Sequence, residues 1–162
     1  MYSAPYSIHQ LSGNDQAMMH GLLDMFGKAF ELESLFSDRR PGEDYLRALL
    51  EGDSFIALAA LKGDQVVGGL AAYELKKFEQ PRSEIYVYDL AVDEAHRREG
   101  IATALLKTIR HIAAERGAYQ VFIQADVRDG PAVALYETLG ERLDVVHFEM
   151  PAMTAERSGH EG

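Results

Sequence analysis

Two groups of residues in the middle of the chain have types and spacing that could do chemistry. Arg97, Arg98, Gly100 and Ala102 directly precede or open an amphipathic segment, and Asp89 lies shortly before them in a run of β-forming residues. A small-residue turn at a helix N-terminus leaves backbone N–H groups free at the positive end of the helix dipole, where a pyrophosphate binds well. The two guanidinium groups add donors suited to phosphate oxygens. The first group therefore predicts a pyrophosphate-binding loop.

Asp89 is the second feature, because aspartate is disfavoured in strands and unfavourable to bury without a partner. It stands between Ile85–Tyr88 and Leu90–Val92, which favour a strand. A carboxylate in such a place can hold a substrate ammonium group and accept a proton from it. In the alternative interpretation Asp89 accepts hydrogen bonds from a neighbouring loop. We expect Asp89 to be functional, with Tyr86 and Tyr88 on the same strand face as Leu90.

Hydrophobic periodicity predicts strands and helices that alternate around these residues. Lys62, Gly63 and Asp64 separate two apolar runs and predict a hairpin. Glycines at 68 and 69, inside the second of these runs, indicate a bulge or a close backbone approach. The predicted strands and helices follow one another in the order β-α-α-β-β-β-α-β-α-β, with helices at 15–30, 41–50, 101–116 and 131–139 and strands at 6–11, 55–61, 65–73, 85–92, 119–125 and 143–150.

Composition narrows the class of protein. The 162 residues predict one domain over 1–150, with a flexible tail over 151–162. The absence of cysteine excludes disulfides and a thiolate nucleophile, and the six histidines show no metal-ligand spacing. Met1–Gln10 lacks the regions of a signal peptide and no apolar run could span a bilayer, so we expect a soluble, cytoplasmic protein. A net charge of −10 disfavours nucleic acid and is compatible with a cationic substrate.

The segment Arg97–Ala102, placed between a strand and a helix, resembles motif A of the GNAT acetyltransferases, and Ala132–Gly140 is similar to a second motif of that family. The resemblance implies an α/β (α+β) GNAT fold, with a central, mixed, mostly antiparallel twisted sheet flanked by helices. It also implies acetyl-CoA as co-substrate and no metal. The residues that the resemblance assigns to the cofactor are Leu90, Ala91, Val92, Arg97, Arg98, Gly100, Ile101, Ala102, Thr103 and Ala132.

Tyr136 matches the family's tyrosine near the CoA sulfur, which implies a general acid for the leaving thiolate. The alternative is a helix tyrosine that packs by its ring. Asp129 occupies the position at which many members of the family carry an asparagine. A carboxylate cannot donate a hydrogen bond to CoA as that amide does.

Longer runs resemble the aminoglycoside 3-N-acetyltransferases of the gentamicin-resistance type. These runs are Phe55–Ala60, Phe78–Val92, Gly100–Leu105, Gln124–Asp126 and Ala132–Gly140. The resemblance implies direct acetyl transfer to the 3-amino group of a deoxystreptamine ring, without an acyl-enzyme. It makes Asp89 the contact to that amine, and we add Asp126, Tyr88 and Glu149 as candidate substrate contacts. Acetylation of a polyamine or a peptide N-terminus, and a non-catalytic acyl-CoA sensor, stay open, as does a homodimer.

Overall fold

The computed structural model describes residues 5–154, which divide after Ala125 into two compact units. The first unit holds the sheet, in the order β1 (Ser7–Gln10), α1 (Gln16–Ala29), α2 (Glu33–Ser37), α3 (Glu43–Glu51), β2 (Phe55–Lys62), β3 (Gln65–Lys76), β4 (Ser83–Val92), α4 (Ile101–Arg116) and β5 (Ala118–Ile123). A single 3-10 turn, Glu94–His96, precedes α4. The second unit contains α5 (Gly130–Glu137). Among the described residues, no helix is long and apolar enough to cross a membrane.

The sheet is mixed, with the spatial order β1-β2-β3-β4-β5. Neighbours pair antiparallel from β1 to β4, whereas β4 and β5 pair parallel. The predicted hairpin between β2 and β3 is confirmed, and it turns at Gly63, whose φ is +58°. Because β4 and β5 are parallel, the chain needs a crossover between them, and α4 supplies it.

Two adjacent glycines explain how helices pack on both faces of the sheet. A Cβ at Gly68 would lie 2.8 Å from Cγ2 of Ile101 in α4, whereas a Cβ at Gly69 would collide with Cδ1 of Leu22 in α1. Successive strand residues point to opposite faces, so α4 covers one face and α1 covers the other. The predicted close approach at 68–69 is therefore confirmed, and a register shift lies next to it, between Ala60 and Leu61 of β2.

The core is built on both faces of this sheet. On the α1 face, Leu22, Phe26 and Leu46 pack with Phe55 and Ala57 in one cluster of buried residues. The α4 helix buries one apolar stripe, made of Ile101, Leu105, Leu106, Ile109, Ile112 and Ala113. Spacing of about 3.6 residues places these side chains on one side of the helix, as predicted from the sequence.

Three predictions about the elements differ from the structure. The expected strand over 143–150 has no regular secondary structure, and its side chains are exposed. The five-residue helix α2 was not predicted, since so short a helix contains little periodic signal. Pro41 precedes the N-cap Gly42 rather than opening α3. The predicted single domain over 1–150 stays a prediction, and residues 155–162 of the predicted tail lie outside the described part of the chain.

Candidate active site

The loop before α4 has the backbone geometry of an anion-binding turn. Arg98 and Gly100 both adopt left-handed conformations, with φ of +65° and +80°. Gly100 is the N-cap of α4, and the first bond into the helix runs from the N–H of Ala104 to the carbonyl of Gly100 at 3.0 Å. The N–H groups of the first turn lack intrahelical partners and lie at the positive end of the helix dipole. A phosphate group at this turn can therefore accept several backbone hydrogen bonds.

The last four residues of this loop, Arg97 to Gly100, carry a net positive charge. Arg97 and Arg98 are exposed, and within residues 5–154 no carboxylate forms an ion pair with either of them. The acidic residue beside these arginines, Glu99, pairs with Lys62 at 2.8 Å and lies 3.8 Å from Nδ1 of His96. Lys62 thus offsets the charge that would repel an anion, and it ties the loop to the end of β2.

The sheet opens beside this loop. Pairing between β4 and β5 ends at Val87 and Ile123, although β4 continues to Val92. Within the described sheet, the edge of β4 from Tyr88 to Val92 that would face β5 consequently has no strand partner. Its backbone N–H and C=O groups can bind an extended ligand as a neighbouring strand would. Predicted cofactor contacts Leu90, Ala91 and Val92 lie on this edge.

A β-bulge at Tyr88 decides which way Asp89 points. Ala72 pairs with Val87 and Ala71 pairs with Asp89, so Tyr88 is an extra residue on β4. A bulge interrupts the alternation of faces, and Asp89 therefore lies on the same face as Ala71. Our expectation that Tyr86 and Tyr88 share a face with Leu90 is wrong for this reason. Leu90 pairs with the fully buried Leu70 on the opposite face.

Tyrosine rings gather around Asp89 on that face. Tyr88 lies 5.5 Å from Tyr86 and 6.0 Å from Tyr73, measured between ring centroids. Tyr86 also stacks on Phe122 at 4.7 Å, and its hydroxyl donates to Oε1 of Gln124 at 3.0 Å. The row of rings therefore crosses β3, β4 and β5. Tyr88, 64% exposed, leaves much of its ring available to a ligand.

The carboxyl group of Asp89 is half-buried and has no hydrogen-bond donor among the side chains and backbone of residues 5–154. Burial raises the pKa of Asp89 above its usual value. Burial raises the pKa of Tyr73 and of Tyr86 as well, and the negative charge of Asp89 contributes to both. Among residues 5–154 no cationic group pairs with the Asp89 carboxylate, so the site favours a cation.

Tyr73 is the residue that sequence reasoning missed at this site. It ends the part of β3 that we had predicted, and only the register with β4 brings it opposite Tyr86. Tyr45 of α3 also raises the pKa of Tyr73, which places a further tyrosine on this side of the sheet. Tyr73 could have been identified if the register between β3 and β4 had been known, because that register places it opposite Tyr86. The sequence contains no clear signal of the bulge at Tyr88, so it does not predict this register.

The second unit holds Tyr136, Asp129 and Ala132 in or beside α5. The side chain of Asp129 accepts a hydrogen bond from the backbone N–H of Ala132 at 3.2 Å and caps the helix. A carboxylate performs this function as well as the amide found in many relatives of the family. Tyr136 is half-buried, and burial together with the charge of Asp129 raises the pKa of its phenol.

The two candidate substrate carboxylates of this unit differ from Asp89 in their surroundings. Asp126 accepts hydrogen bonds from the guanidinium group of Arg128 at 2.8 and 3.0 Å and from its backbone N–H at 2.9 Å. These contacts hold the pKa of Asp126 well below its usual range. Glu149 is strongly exposed and lies 3.5 Å from Nε2 of His147. Both remain candidates, but Asp126 already has a cationic partner.

A cavity of about 560 Å³ lies elsewhere in the first unit, between α1 and the β2–β3 hairpin. Asp24, Lys28, Asp64 and Asp93 contribute its charged lining. None of the residues predicted to bind cofactor or substrate lines it. The site is therefore defined by the open edge of β4 rather than by this cavity. In the described part of the chain, no group of three or more histidines, aspartates and glutamates is arranged to hold a metal ion.

The residues on this edge fit acetyl-CoA in two respects. The turn with left-handed Arg98 and Gly100 offers free N–H groups and two guanidinium groups to a pyrophosphate. The unpaired edge of β4 offers alternating amide donors and acceptors, which suit the amides of a pantetheine arm. The open end of β4 and the turn before α4 are thus close in sequence, and together they offer groups suited to the pantetheine arm and the pyrophosphate.

Comparison with known proteins agrees with this geometry. Residues 18–140 match the model of the acetyltransferase (GNAT) family, and the chain belongs to that family, whose acetyl donor is acetyl-CoA. The chain is 56% identical to aminoglycoside acetyltransferase HMB0005 from an uncultured soil metagenomic sample, with a TM-score of 0.89 over 91% of this chain and 99% of that one. It is 30% identical to aminoglycoside acetyltransferase meta-AAC0020, also from an uncultured soil metagenomic sample and solved in complex with sisomicin. The TM-score is 0.84 over 91% of this chain and 97% of that one.

Among curated relatives, N-acetyltransferase 8B of Rattus norvegicus is 35% identical over 81 residues, which are 50% of this chain. The match spans only 36% of the length of that protein. The chain therefore belongs to the GNAT acetyltransferase family and has the predicted fold class, an α/β protein with a five-stranded mixed sheet flanked by helices.

Proposed function

We propose that this chain is an aminoglycoside 3-N-acetyltransferase that transfers the acetyl group of acetyl-CoA to the 3-amino group of gentamicin-like drugs and so confers antibiotic resistance. The observation that carries the proposal is the half-buried carboxyl group of Asp89, without a donor among the described residues, beside Tyr73, Tyr86 and Tyr88. The likeness to two aminoglycoside acetyltransferases over nine-tenths of the chain supports this substrate class.

A polycationic drug suits the electrostatics of this site. An ammonium group beside Asp89 would supply the missing hydrogen-bond donor and the missing charge at once. Aromatic faces attract cations by about 0.5–2 kcal/mol each, so the tyrosines add to the attraction of the carboxylate. The net charge of −10 over the whole chain favours the approach of a substrate that carries several ammonium groups.

Asp89 has two tasks in the proposed reaction. An alkyl ammonium group, with a pKa of about 10, is protonated at neutral pH and cannot act as a nucleophile. Asp89 first holds the ammonium group and then accepts one of its protons, directly or through a water molecule. The freed amine nitrogen forms a bond to the acetyl carbon, and the bond between that carbon and sulfur breaks. The raised pKa of Asp89 brings this carboxyl group closer to the range of an effective base.

Tyr136 is the proposed proton donor to the leaving sulfur. A phenol, with an ordinary pKa of about 10, is protonated at neutral pH. The proton of Tyr136 is therefore available when charge develops on the sulfur. The chain has no cysteine, and the proposed transfer is direct, without an acyl-enzyme.

The backbone and side chains around α4 would hold the acetyl donor, which supplies an activated thioester. First-turn N–H groups from Ile101 to Thr103, together with Arg97 and Arg98, would bind the pyrophosphate. The edge of β4 from Leu90 to Val92 would hold the pantetheine arm and direct the thioester toward Asp89. Asp126 and Glu149 are the proposed contacts to further ammonium groups of the drug.

The decisive experiment follows thiol release from acetyl-CoA with gentamicin, kanamycin, spermidine and a short peptide. Because the chain has no cysteine, it does not consume the thiol reagent. The wild type is compared with Asp89→Asn and with Asp64→Asn, an exposed carboxylate on the β2–β3 turn that serves as the control. We expect turnover with gentamicin that Asp89→Asn abolishes and Asp64→Asn retains, and NMR of the product should locate the acetyl group on the 3-amino nitrogen.

Other outcomes would redirect the assignment. Turnover with spermidine or the peptide alone would retain the acetyltransferase and refute the drug substrate. Acetylation of gentamicin at another nitrogen would refute the 3-amino position only. Tight CoA binding with no turnover on any amine would indicate an acyl-CoA sensor.

A further inference from the structure

A half-buried ion pair ties the turn before α4 to the end of β2. Nζ of Lys62 lies 2.9 Å from Oε1 and 2.8 Å from Oε2 of Glu99, so one ammonium group contacts both carboxylate oxygens. The two side chains are 26% and 33% exposed, and salt therefore screens this pair less than a pair at the open surface. The partners are 37 residues apart in the chain, so their contact depends on the tertiary structure.

The pair holds the turn where its backbone is least favourable. Glu99 lies between Arg98 and Gly100, whose φ angles are +65° and +80°. Glycine adopts such a conformation freely, whereas a residue with a Cβ does so when the surrounding structure holds it there. Without that support, Arg98 would have the left-handed conformation in only about 1 of 5 to 1 of 30 molecules. A contact of the folded chain must therefore stabilise this turn.

The ion pair is the strongest described side-chain contact of the turn. Nε of Arg97 donates to the carbonyl of Val92 at 3.4 Å, which is long for a hydrogen bond. Nδ1 of His96 lies 3.8 Å from Oε2 of Glu99 and has no hydrogen-bond partner among the described residues. Charge-assisted hydrogen bonds as short as those of Lys62 are about twice as strong as neutral ones.

The sheet fixes the backbone of Lys62. This residue ends β2 and pairs with Gln65 across the β2–β3 hairpin. On the other side of β2, Ser7 of β1 pairs with the preceding residue, Leu61. The position of β2 is thus set by strands on both sides, and the ion pair transmits that position to the turn.

We propose that Lys62 and Glu99 are positioning residues for acetyl-CoA. Their ion pair holds the turn in the left-handed conformation that presents the first-turn N–H groups and the two arginines to the pyrophosphate. The inference rests on the proposed binding of the pyrophosphate at this turn. Without the pair, only a fraction of the molecules has the competent turn, and the apparent Kd rises by the inverse of that fraction.

An explanation by charge alone predicts a different result for Glu99. Removing the positive charge of Lys62 weakens the binding of an anion in both explanations. Removing the negative charge of Glu99 strengthens binding if charge alone acts, but weakens binding if the pair holds the turn. The sign of the change at Glu99 therefore separates the two explanations.

Calorimetry with CoA and with pantetheine, which has the same arm without the phosphates, tests the inference. Lys62→Met and Glu99→Met approximately keep the length of each side chain and remove its charge. Each should raise the Kd for CoA about 5- to 30-fold and leave the Kd for pantetheine unchanged. The double variant should bind CoA no more weakly than the single variants, because either substitution already breaks the pair. Lys62→Arg, which keeps a cation at the end of β2, should retain most of the affinity.

Matched controls change the net charge by the same amount away from the turn. Lys76→Met at the last residue of β3 and Glu115→Met on the exposed side of α4 should leave both Kd values unchanged. In turnover assays, Lys62→Met and Glu99→Met should raise the KM for acetyl-CoA in parallel with the Kd. The kcat at saturating acetyl-CoA should be retained, because the pair acts on the phosphate turn rather than on Asp89.

Three results would overturn the inference. Tighter binding of CoA by Glu99→Met would show that charge alone acts. Equal losses of affinity for CoA and pantetheine would indicate general damage to the fold, and unchanged CoA binding in both variants would show that the turn keeps its shape without the pair. A wild type that binds CoA no more tightly than pantetheine would refute the proposed pyrophosphate site itself, and the inference with it.

Discussion

Asp89→Asn should abolish activity and stabilise the protein at the same time. Burial raises the pKa of Asp89, so the ionised carboxylate is less favourable in the folded chain than in the unfolded chain. The folded chain has its full stability below the unfolded pKa of about 3.9, where the Asp89 carboxyl group is protonated. It loses part of that stability as the pH rises through the higher folded pKa. The wild type loses it once the carboxyl group is ionised. Asparagine keeps the shape of the side chain and never ionises.

The expected size of each effect follows from the surroundings of Asp89. At about 4 Å an ion pair gives about 1 kcal/mol in water and about 4 kcal/mol at the effective dielectric of a half-buried site. Loss of the general base should lower the rate by about 10²–10⁴-fold, so kcat/KM for gentamicin should fall at least about 100-fold. Removing a destabilising group from an active site gives about 0.5–2 kcal/mol of stability, or a rise in Tm of several degrees.

Thermal unfolding at pH 7 and pH 3.5, combined with turnover, tests both effects on one sample. The Tm advantage of Asp89→Asn should be present at pH 7 and should shrink at pH 3.5, where the wild-type carboxyl group is protonated. A variant less stable than the wild type at pH 7 would refute the argument that Asp89 is buried without compensation. A variant with unchanged kcat/KM would refute its role as base and ammonium contact.

Three further predictions concern the scaffold, the phosphate turn and a surface carboxylate. Gly69→Ala should destabilise the fold by about 1–3 kcal/mol in urea unfolding, because the new methyl group collides with Leu22 of α1. Arg98→Gln should weaken CoA binding about 10- to 150-fold in calorimetry, the equivalent of about 1.5–3 kcal/mol for a hydrogen bond to a charged group. Asp15→Asn should lower the unfolding free energy at pH 7 by about 1 kcal/mol. This loss should vanish in acid, since the backbone N–H of Ser12 lowers the pKa of Asp15 and the stability it gives is lost as the pH falls through that pKa.

Matched controls separate these effects from general ones. Gly42→Ala adds the same methyl group where nothing lies within 4 Å, and it should change stability far less than Gly69→Ala. Arg110→Gln removes an exposed charge from the same helix that follows the turn and should leave the Kd for CoA unchanged. Asp64→Asn alters the net charge as Asp15→Asn does. Equal effects within the glycine pair, the arginine pair or the aspartate pair would contradict the corresponding prediction.

Local patterns were sufficient to predict much of this protein. Rules that relate residues only a few positions apart predicted three features. These are the apolar stripe of α4, the turn around Gly63 and the close approach at glycines 68 and 69, and all three are confirmed. The left-handed turn before α4 also follows from a local pattern, because small residues before a helix have a direct backbone consequence. Phosphate binding at this turn stays a prediction. The role of Asp89 stays a prediction.

Apart from α2 and the expected strand over 143–150, the sequence by itself determined the order of strands and helices. It also determined the turn before α4 and the isolated carboxylate within a strand, since these follow from composition and short-range periodicity. Only the tertiary structure decided that a bulge at Tyr88 turns Asp89 toward Tyr73, and that β4 extends past the end of β5. It also left Leu143–Met150 exposed instead of paired. Strand register and edge pairing depend on hydrogen bonds between distant segments, and no local pattern specifies which residue of one strand meets which residue of the next.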